Sequence, residues 1–324
     1  MKRRTFLGAV TGSILISPLA VLAQPAAKVV RIGWLTPDVF EVHSRAFREA
    51  MRALGYVEGQ TFVVEARSAD NDLDRLPGLA AELVRSKVDV IVAVAPPAIF
   101  AARKATETIP IVMAFWGGGG LIESGMVETL ARPGGNVTGV SMLGAELEAK
   151  RMDLLLQAVP KARKVGVITA AGRGFTFAEV QKIADGAGVQ LRVTEVTGGE
   201  DRYRRAFDAL AQAQVDALLV PSFPRFFKDA RTIIDLAASK RIPAIYEWPS
   251  MADDGGLMAY GPTLDELDGR VASFVQRIVK GARPGELPIE QPSKFELVVN
   301  LKTAKALGLT IPPPLLLRAD RVVQ

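Results

Sequence analysis

Cysteine is absent from the 324-residue chain, and histidine occurs once, as His43. The first absence excludes disulfides, thiolate nucleophiles, cysteine metal sites and a lipid carried on a signal-peptide cysteine. The second leaves a Ser-His-Asp triad or a histidine metal site resting on one side chain. That side chain sits in TPDVFEVHS, which reads as a loop with His43 solvated or lining a cleft. Excess charge is scarce too. The formal net charge is +5, but Lys2, Arg3 and Arg4 belong to a leader without acids, so about +2 remains beyond it, too little for a nucleic-acid footprint.

Membrane-length apolar runs are also missing. The stretch from Phe6 to Leu22 is broken by Gly8, Gly12 and Pro18 and is short for a bilayer span. With MKRR before it and Val21-Leu22-Ala23 at its end, it predicts a signal peptide over residues 1–23, cleaved after Ala23. Arg3-Arg4-Thr5-Phe6-Leu7 also fits a twin-arginine pattern, so folded and unfolded export both stand. The expectation is a periplasmic protein that is not a lipoprotein.

Beyond the leader, apolar β-branched runs alternate with amphipathic stretches: VVRIGWL, SRAFREAMRALGY, TFVVEARSAD, DRLPGLAAELVRSK, VDVIVAVA, PPAIFAARKATET and IPIVMAFW. Runs apolar at every position predict strands covered on both faces, hence β-α-β units around a parallel sheet. The order starts again at KVGVITA. Asp74-Arg75 and Val88-Asp89 recur 127 residues later as Asp201-Arg202 and Val215-Asp216, and Ile109-Pro110 recurs 133 later as Ile242-Pro243. Shared offsets across a helix and a strand indicate duplication rather than chance likeness. Three further elements, GGLMAYGP, TLDELDGRVASFVQRIVKG and LPIEQPSKFELVVNLKTAKALGL, must cover the existing sheets. The fold class read from this pattern is α/β, with two Rossmann-like lobes built on parallel-sheet cores and joined by a multi-strand hinge. Residues 24–141 plus 263–284 are assigned to the first lobe, and 142–262 plus 285–324 to the second. A ligand is expected in the crevice beyond the carboxyl ends of the strands.

Nucleotide motifs fail there. From Gly117 or Gly118, the sixth position of G-x-G-x-x-G is Ile122 or Glu123. Gly120 and Gly125 have phosphate-loop spacing, but Met126 and Val127 stand where Lys and Ser/Thr belong. The run Gly117–Gly120 therefore reads as a plain turn or as backbone that lets a ligand approach, leading into a helix. Gly139-Val140-Ser141-Met142-Leu143 lacks the second glycine of a nucleophile elbow. No catalytic residue, cofactor or metal is expected.

Aromatic residues are only 6% of the chain, yet several cluster at strand ends. Trp34 lies inside an apolar run and reads as core; Trp116 and Trp248 fit core and cleft equally. The candidate ligand-binding set is Asp38, Phe115, Trp116, Gly117, Gly118, Thr169, Arg173, Ser222, Tyr246, Glu247, Trp248 and Tyr260. Aromatic faces suit planar ligands, Glu247 suits an ammonium group, and Arg173 or Ser222 suits a carboxylate.

The chain resembles the substrate-binding proteins of ABC importers. The likeness is carried by LGYVEGQ (54–60), RLP (75–77), LARPGGNVTG (130–139), AKR (149–151), GGLMAYGP (255–262) and NLKTAKALGL (300–309). The resemblance implies the type I periplasmic-binding architecture and a monomer that captures a small organic ligand and docks on an ABC permease. Some members are associated with tryptophan or tyrosine uptake. This sequence departs from the family where relatives carry Gly-Asp-Pro after the fourth strand and Asn-Pro in the second lobe; here those places hold the glycine run and Ala170-Ala171-Gly172-Arg173. An exported α/β enzyme and a ligand sensor for a membrane receptor are the alternatives.

Overall fold

Val90–Val94 and Ile111–Trp116 are buried at every position, as a parallel sheet covered on both faces requires. The structure is a computed structural model that describes residues 29–37, 41–117, 120–142, 144–170 and 177–324. The expected signal peptide lies outside these residues.

The first lobe runs β1 (Val30–Thr36), α1 (Glu41–Ala53), β2 (Phe62–Ser68), α2 (Leu76–Arg85), β3 (Val90–Val94), α3 (Ala95–Ala105), β4 (Ile111–Trp116) and β5 (Val137–Ser141). Its strands form one sheet in the order β2-β1-β3-β4-β5, parallel throughout. The chain continues through α4 (Gly144–Ala158), β6 (Lys164–Ala170), α5 (Ala178–Gly186), β7 (Gln190–Val196), α6 (Arg202–Gln212), β8 (Ala217–Leu219), α7 (Pro224–Lys228), α8 (Ala230–Ser239), β9 (Ala244–Tyr246), α9 (Pro249–Asp253) and β10 (Met258–Gly261). Then follow α10 (Leu264–Val279), β11 (Glu296–Asn300), α11 (Leu301–Leu307), α12 (Pro313–Leu316) and β12 (Arg321–Val323). The second sheet has the order β12-β11-β10-β9-β8-β6-β7. The two-lobed α/β class read from the sequence holds, with one difference. β11 runs antiparallel to β10, because the chain has left for the first lobe and returns from the other direction.

The repeated dipeptides have a physical explanation. Asp89 Oδ2 accepts the main-chain N–H of Arg31 at 2.8 Å, and Asp89 N–H returns a bond to Arg31 O at 2.8 Å. In the second lobe Asp216 Oδ2 accepts from Arg163 N and Lys164 N, while Asp216 N–H donates to Lys164 O. Each aspartate satisfies otherwise unpaired donors where the first strand of its lobe begins. Pro110 O and Pro243 O likewise accept from Ile91 N and Leu218 N, both at 2.8 Å.

Two local expectations are corrected. The glycine run does not lead into a helix: residues 121–125 form successive turns, with Ser124 N–H donating to Gly120 O and Gly125 N–H to Ile122 O. Gly120 and Gly125 both have positive φ (77° and 70°), which interrupts right-handed helix at each end. His43 falls in the first turn of α1 instead of a loop.

The chain crosses between lobes near Met142 and again after β10. α10, capped by the Thr263 side chain accepting from Glu266 N–H, packs on α1 and on the first sheet. The segment after α10 stays on that sheet. Gly285 O accepts from Gly134 N–H, Ile289 N–H donates to Leu130 O, and Glu290 N–H donates to Gly139 O. Arg270 and Arg277 hold the Glu290 carboxylate at 3.1 and 2.7 Å. Among the described residues no helix is long and apolar enough to cross a membrane.

Candidate ligand site between the lobes

Adjacent side chains on a strand point to opposite faces, and this separates two neighbouring aromatics at the end of β4. Trp116 turns into the first lobe, where its ring meets Phe100 of α3 at 5.5 Å and shares a core cluster with Leu121 and Met126. Phe115 turns the other way and meets Trp248 of the second lobe, ring centroids 6.2 Å apart. Trp248 lies two residues past the end of β9, and its ring also packs on Phe227 at 5.4 Å. Phe223 and Phe226 stack edge to face at 5.1 Å beside it. On the second-lobe side of this contact, Val220, Phe223, Phe227, Glu247, Trp248 and Met251 line a gap of about 170 Å³ with no room for a water molecule.

The lobes touch at two further points. A Cβ on Gly117 would lie 3.8 Å from Ser222 Oγ, and Arg225 Nη2 donates to Asn71 O at 3.4 Å. The lobes are therefore closed on one another along the carboxyl ends of β4, β8 and β9.

Beneath this contact lies a buried charge cluster. Glu148 and Arg151, one helical turn apart on α4, share the inward face with Leu147, Met152 and Leu155. Arg151 Nε donates to Tyr260 O at 2.8 Å, its Nη1 lies 2.7 Å from Glu148 Oε1, and its Nη2 lies 3.8 Å from Glu247 Oε1. Ser222 N–H donates to Glu148 Oε1 at 2.9 Å, and the side chains of Ser222 and Trp248 donate to the Glu247 carboxyl. Glu247 is 3% exposed, and its Oε1 makes no hydrogen bond. Burial pushes its pKa up to about 7, with Glu148 adding to the rise; Arg151 and the two donated hydrogen bonds oppose it. The cluster thus holds two carboxyl groups against one guanidinium, all three buried, where unbalanced charge is costly.

Of the residues singled out from sequence, Phe115, Gly117, Ser222, Glu247 and Trp248 come together here. Asp38, Gly118 and Arg173 lie outside the described residues. Thr169 is half-buried near the end of β6, in register with Glu195. Trp116 and Tyr246 are core rings. Tyr246 is buried within the second lobe, against the backbone of Gly256, and burial raises its hydroxyl pKa. Tyr260 contributes its carbonyl to Arg151 and tilts its ring over Phe295 at 6.0 Å. Glu148, Phe223 and Phe227 escaped the sequence reading, and Arg151 entered it only through a family motif. The available signals were charges at apolar-stripe positions of α4 and three phenylalanines within SFPRFF.

A wider concavity of about 600 Å³ lies at the opposite end of the first lobe, beside Gly134, Asn136 and Gly285. Its arginines, Arg103 and Arg283, are already paired with Glu107 and Glu286. The Phe115–Trp248 contact between the lobes is the better candidate, because it brings aromatic faces together beside the buried Glu247. Among the described residues no three His, Asp or Glu side chains are placed to hold a metal.

Comparison with known proteins gives a consistent result. The family model described as ABC transporter substrate binding protein matches residues 35–323. A curated relative, the tyrosine-binding protein of Clostridioides difficile strain R20291, is 26% identical over 268 residues, covering 82% of this chain and 76% of the relative. The ABC domain from Streptococcus pneumoniae solved in complex with L-Trp aligns at a TM-score of 0.81 with 23% identity, covering 91% of this chain and all of that one. The ligand-free, open structure of a substrate binding protein with adhesive properties from Clostridium difficile aligns at 0.64 with 22% identity, again over 91% of this chain and all of that one.

Proposed function

Because the chain belongs to the ABC transporter substrate binding protein family, we propose that it captures a small organic ligand, aromatic or amino-acid-like, between its lobes and delivers it to an ABC permease. The observation that carries this reading is the meeting of Phe115 and Trp248 across the lobes, directly above the buried Glu148, Arg151 and Glu247. Aromatic rings offer contact area to a planar ligand, and the Glu247 carboxyl gives one polar end of it a fixed partner. Micromolar affinity needs only about −8 kcal/mol, within reach of such a set. The ligands named for the tyrosine-binding relative and the L-Trp complex favour the same chemistry. The better superposition on the L-Trp complex than on the ligand-free, open structure supports reading these contacts as a closed jaw.

Binding is without turnover. Ligand shifts an open–closed equilibrium, and the permease reads the closed shape. In this account the protein works as a monomer in the periplasm after removal of residues 1–23. Isothermal calorimetry of the mature chain against aromatic amino acids, aromatic amines and aromatic carboxylates tests the reading. Saturable one-to-one binding by members of this set, with the compound recovered unchanged, is expected. Silence across the whole set, or conversion of a bound compound, overturns it.

A further inference from the structure

Resting on the reading of the cleft as the site of capture, we propose that Arg225 of the second lobe and the 69–72 loop of the first form a latch, which holds the closed jaw from outside the ligand site and slows the release of any ligand alike. Arg225 Nη2 donates across the lobes to Asn71 O at 3.4 Å. The acceptor is built before the lobes meet. Asp70 and Asn71 both have positive φ, 53° and 65°, a left-handed pair that Asp and Asn tolerate better than most side chains. Bonds internal to the first lobe pin this loop: Asn71 N–H donates to Pro37 O at 2.6 Å, Asp72 N–H to Ala69 O at 2.9 Å, and Arg75 Nη1 to Asp70 Oδ2 at 2.9 Å. A carbonyl held in this way needs little further ordering when closure presents the guanidinium to it.

Charge complements the geometry. Residues 70–75, DNDLDR, carry three aspartates and one arginine, whereas α7, PRFFK, carries Arg225 and Lys228 and no acid. The hydrogen bond from Arg75 does most to hold the Asp70 carboxyl below its usual range and Ser68 helps; the Lys228 charge reaches it from the other lobe and acts in the same direction. The same short helix serves the ligand site. Phe226 and Phe227 line the gap and Phe227 packs on Trp248 at 5.4 Å, while Arg225 and Lys228 stand outside the lining. α7 therefore ties the aromatic wall of the gap to the acidic loop of the opposite lobe. A partly exposed contact of this kind is weak, so it leaves the unliganded jaw free to open and acts on the rate of reopening.

The test uses spin labels on cysteines introduced at Glu123 and Glu200, exposed positions after β4 and β7 that lie outside the latch, together with stopped-flow release of L-tyrosine and L-tryptophan. In the unliganded chain the short-distance component should shrink as salt rises from about 20 mM to about 500 mM, because screening shortens the reach of exposed charges. Arg225→Gln should start with less of that component and hardly respond to salt, and Arg225→Lys should keep the response. Arg225→Gln should also speed release of both amino acids by a common factor of roughly two to five, the worth of an exposed ion pair, with their order of affinity preserved. A parent distribution blind to salt, or distances and release rates unchanged in Arg225→Gln, overturns the latch. So does a reversed order of the two amino acids, which would make Arg225 a ligand contact. Failure of both amino acids to bind overturns the reading of the gap, and the unliganded distances then decide the latch by themselves.

Discussion

The Phe115 ring of one lobe and the Trp248 ring of the other meet edge to face, with centroids 6.2 Å apart and planes inclined at 63°. This contact joins side chains carried by two separate sheets, so it exists only while the lobes are closed. Trp34, by contrast, packs on Phe47 within the first lobe, and Trp116 packs on Phe100.

The three tryptophans should therefore respond differently to truncation. Trp34→Ala and Trp116→Ala should each lower unfolding stability by about 3–5 kcal/mol, the usual cost of emptying a core aromatic. Trp248→Ala should cost less and weaken aromatic ligand binding at least tenfold. Urea unfolding together with calorimetric titration separates these outcomes.

Arg151 carries more than one ion pair. Removing it leaves Glu148 and Glu247 buried together without a cation, so Arg151→Met should cost about 3–5 kcal/mol. Adding Glu148→Gln and Glu247→Gln to that variant should recover most of the loss, because the charges that needed the guanidinium are gone. Denaturant unfolding of the single and triple variants decides it.

Glu247 gives stability a pH dependence of predictable sign. Its carboxyl value of about 7 in the folded chain lies above the ordinary 4.5, so between those values the folded state holds more protons than the unfolded one. The stability it supports is fully present below 4.5 and falls as pH rises to about 7. The difference between the parent and Glu247→Gln should shrink across that window by on the order of 3 kcal/mol, at about 1.4 kcal/mol per unit, and be flat above it. Urea unfolding of both proteins from pH 5 to pH 8.5 gives the slope.

Gly261 on β10 faces the main chain of Glu247, and a Cβ there would collide with the Glu247 carbonyl oxygen. Gly261→Ala should push Glu247 and Trp248 out of place, weakening ligand binding while most of the fold survives. Gly199→Ala, where a Cβ meets nothing within 4 Å, is the control. Near-ultraviolet circular dichroism and calorimetry on both variants check the difference.

The architecture was legible because burial on two faces leaves a mark at every strand position: Val90–Val94 and Ile111–Trp116 admit no polar residue. The duplicated aspartates were legible for the same kind of reason, since Asp89 and Asp216 meet the same need for a partner at strand starts. The gap was read only in part. Glu247 and Trp248 follow a strand that sequence could place. Which of Phe115 and Trp116 faces the second lobe depends on strand phase, which an unbroken apolar run conceals. Arg151 was hidden differently. A charge on an amphipathic helix reads as surface until its partners, Tyr260 O and Glu247, arrive from strands about a hundred residues away.

The central claim is that ligand closes the two lobes upon each other, and the distance between them tests it most directly. Asp74 and Lys228 are exposed on opposite lobes beside the gap, and the chain has no native cysteine, so spin labels on cysteines introduced at both sites report that distance alone. Pulsed dipolar spectroscopy should show a broad, long distribution without ligand, collapsing to a short, narrow one when a compound that binds by calorimetry is added. The same distribution with and without a bound compound would contradict capture by closure.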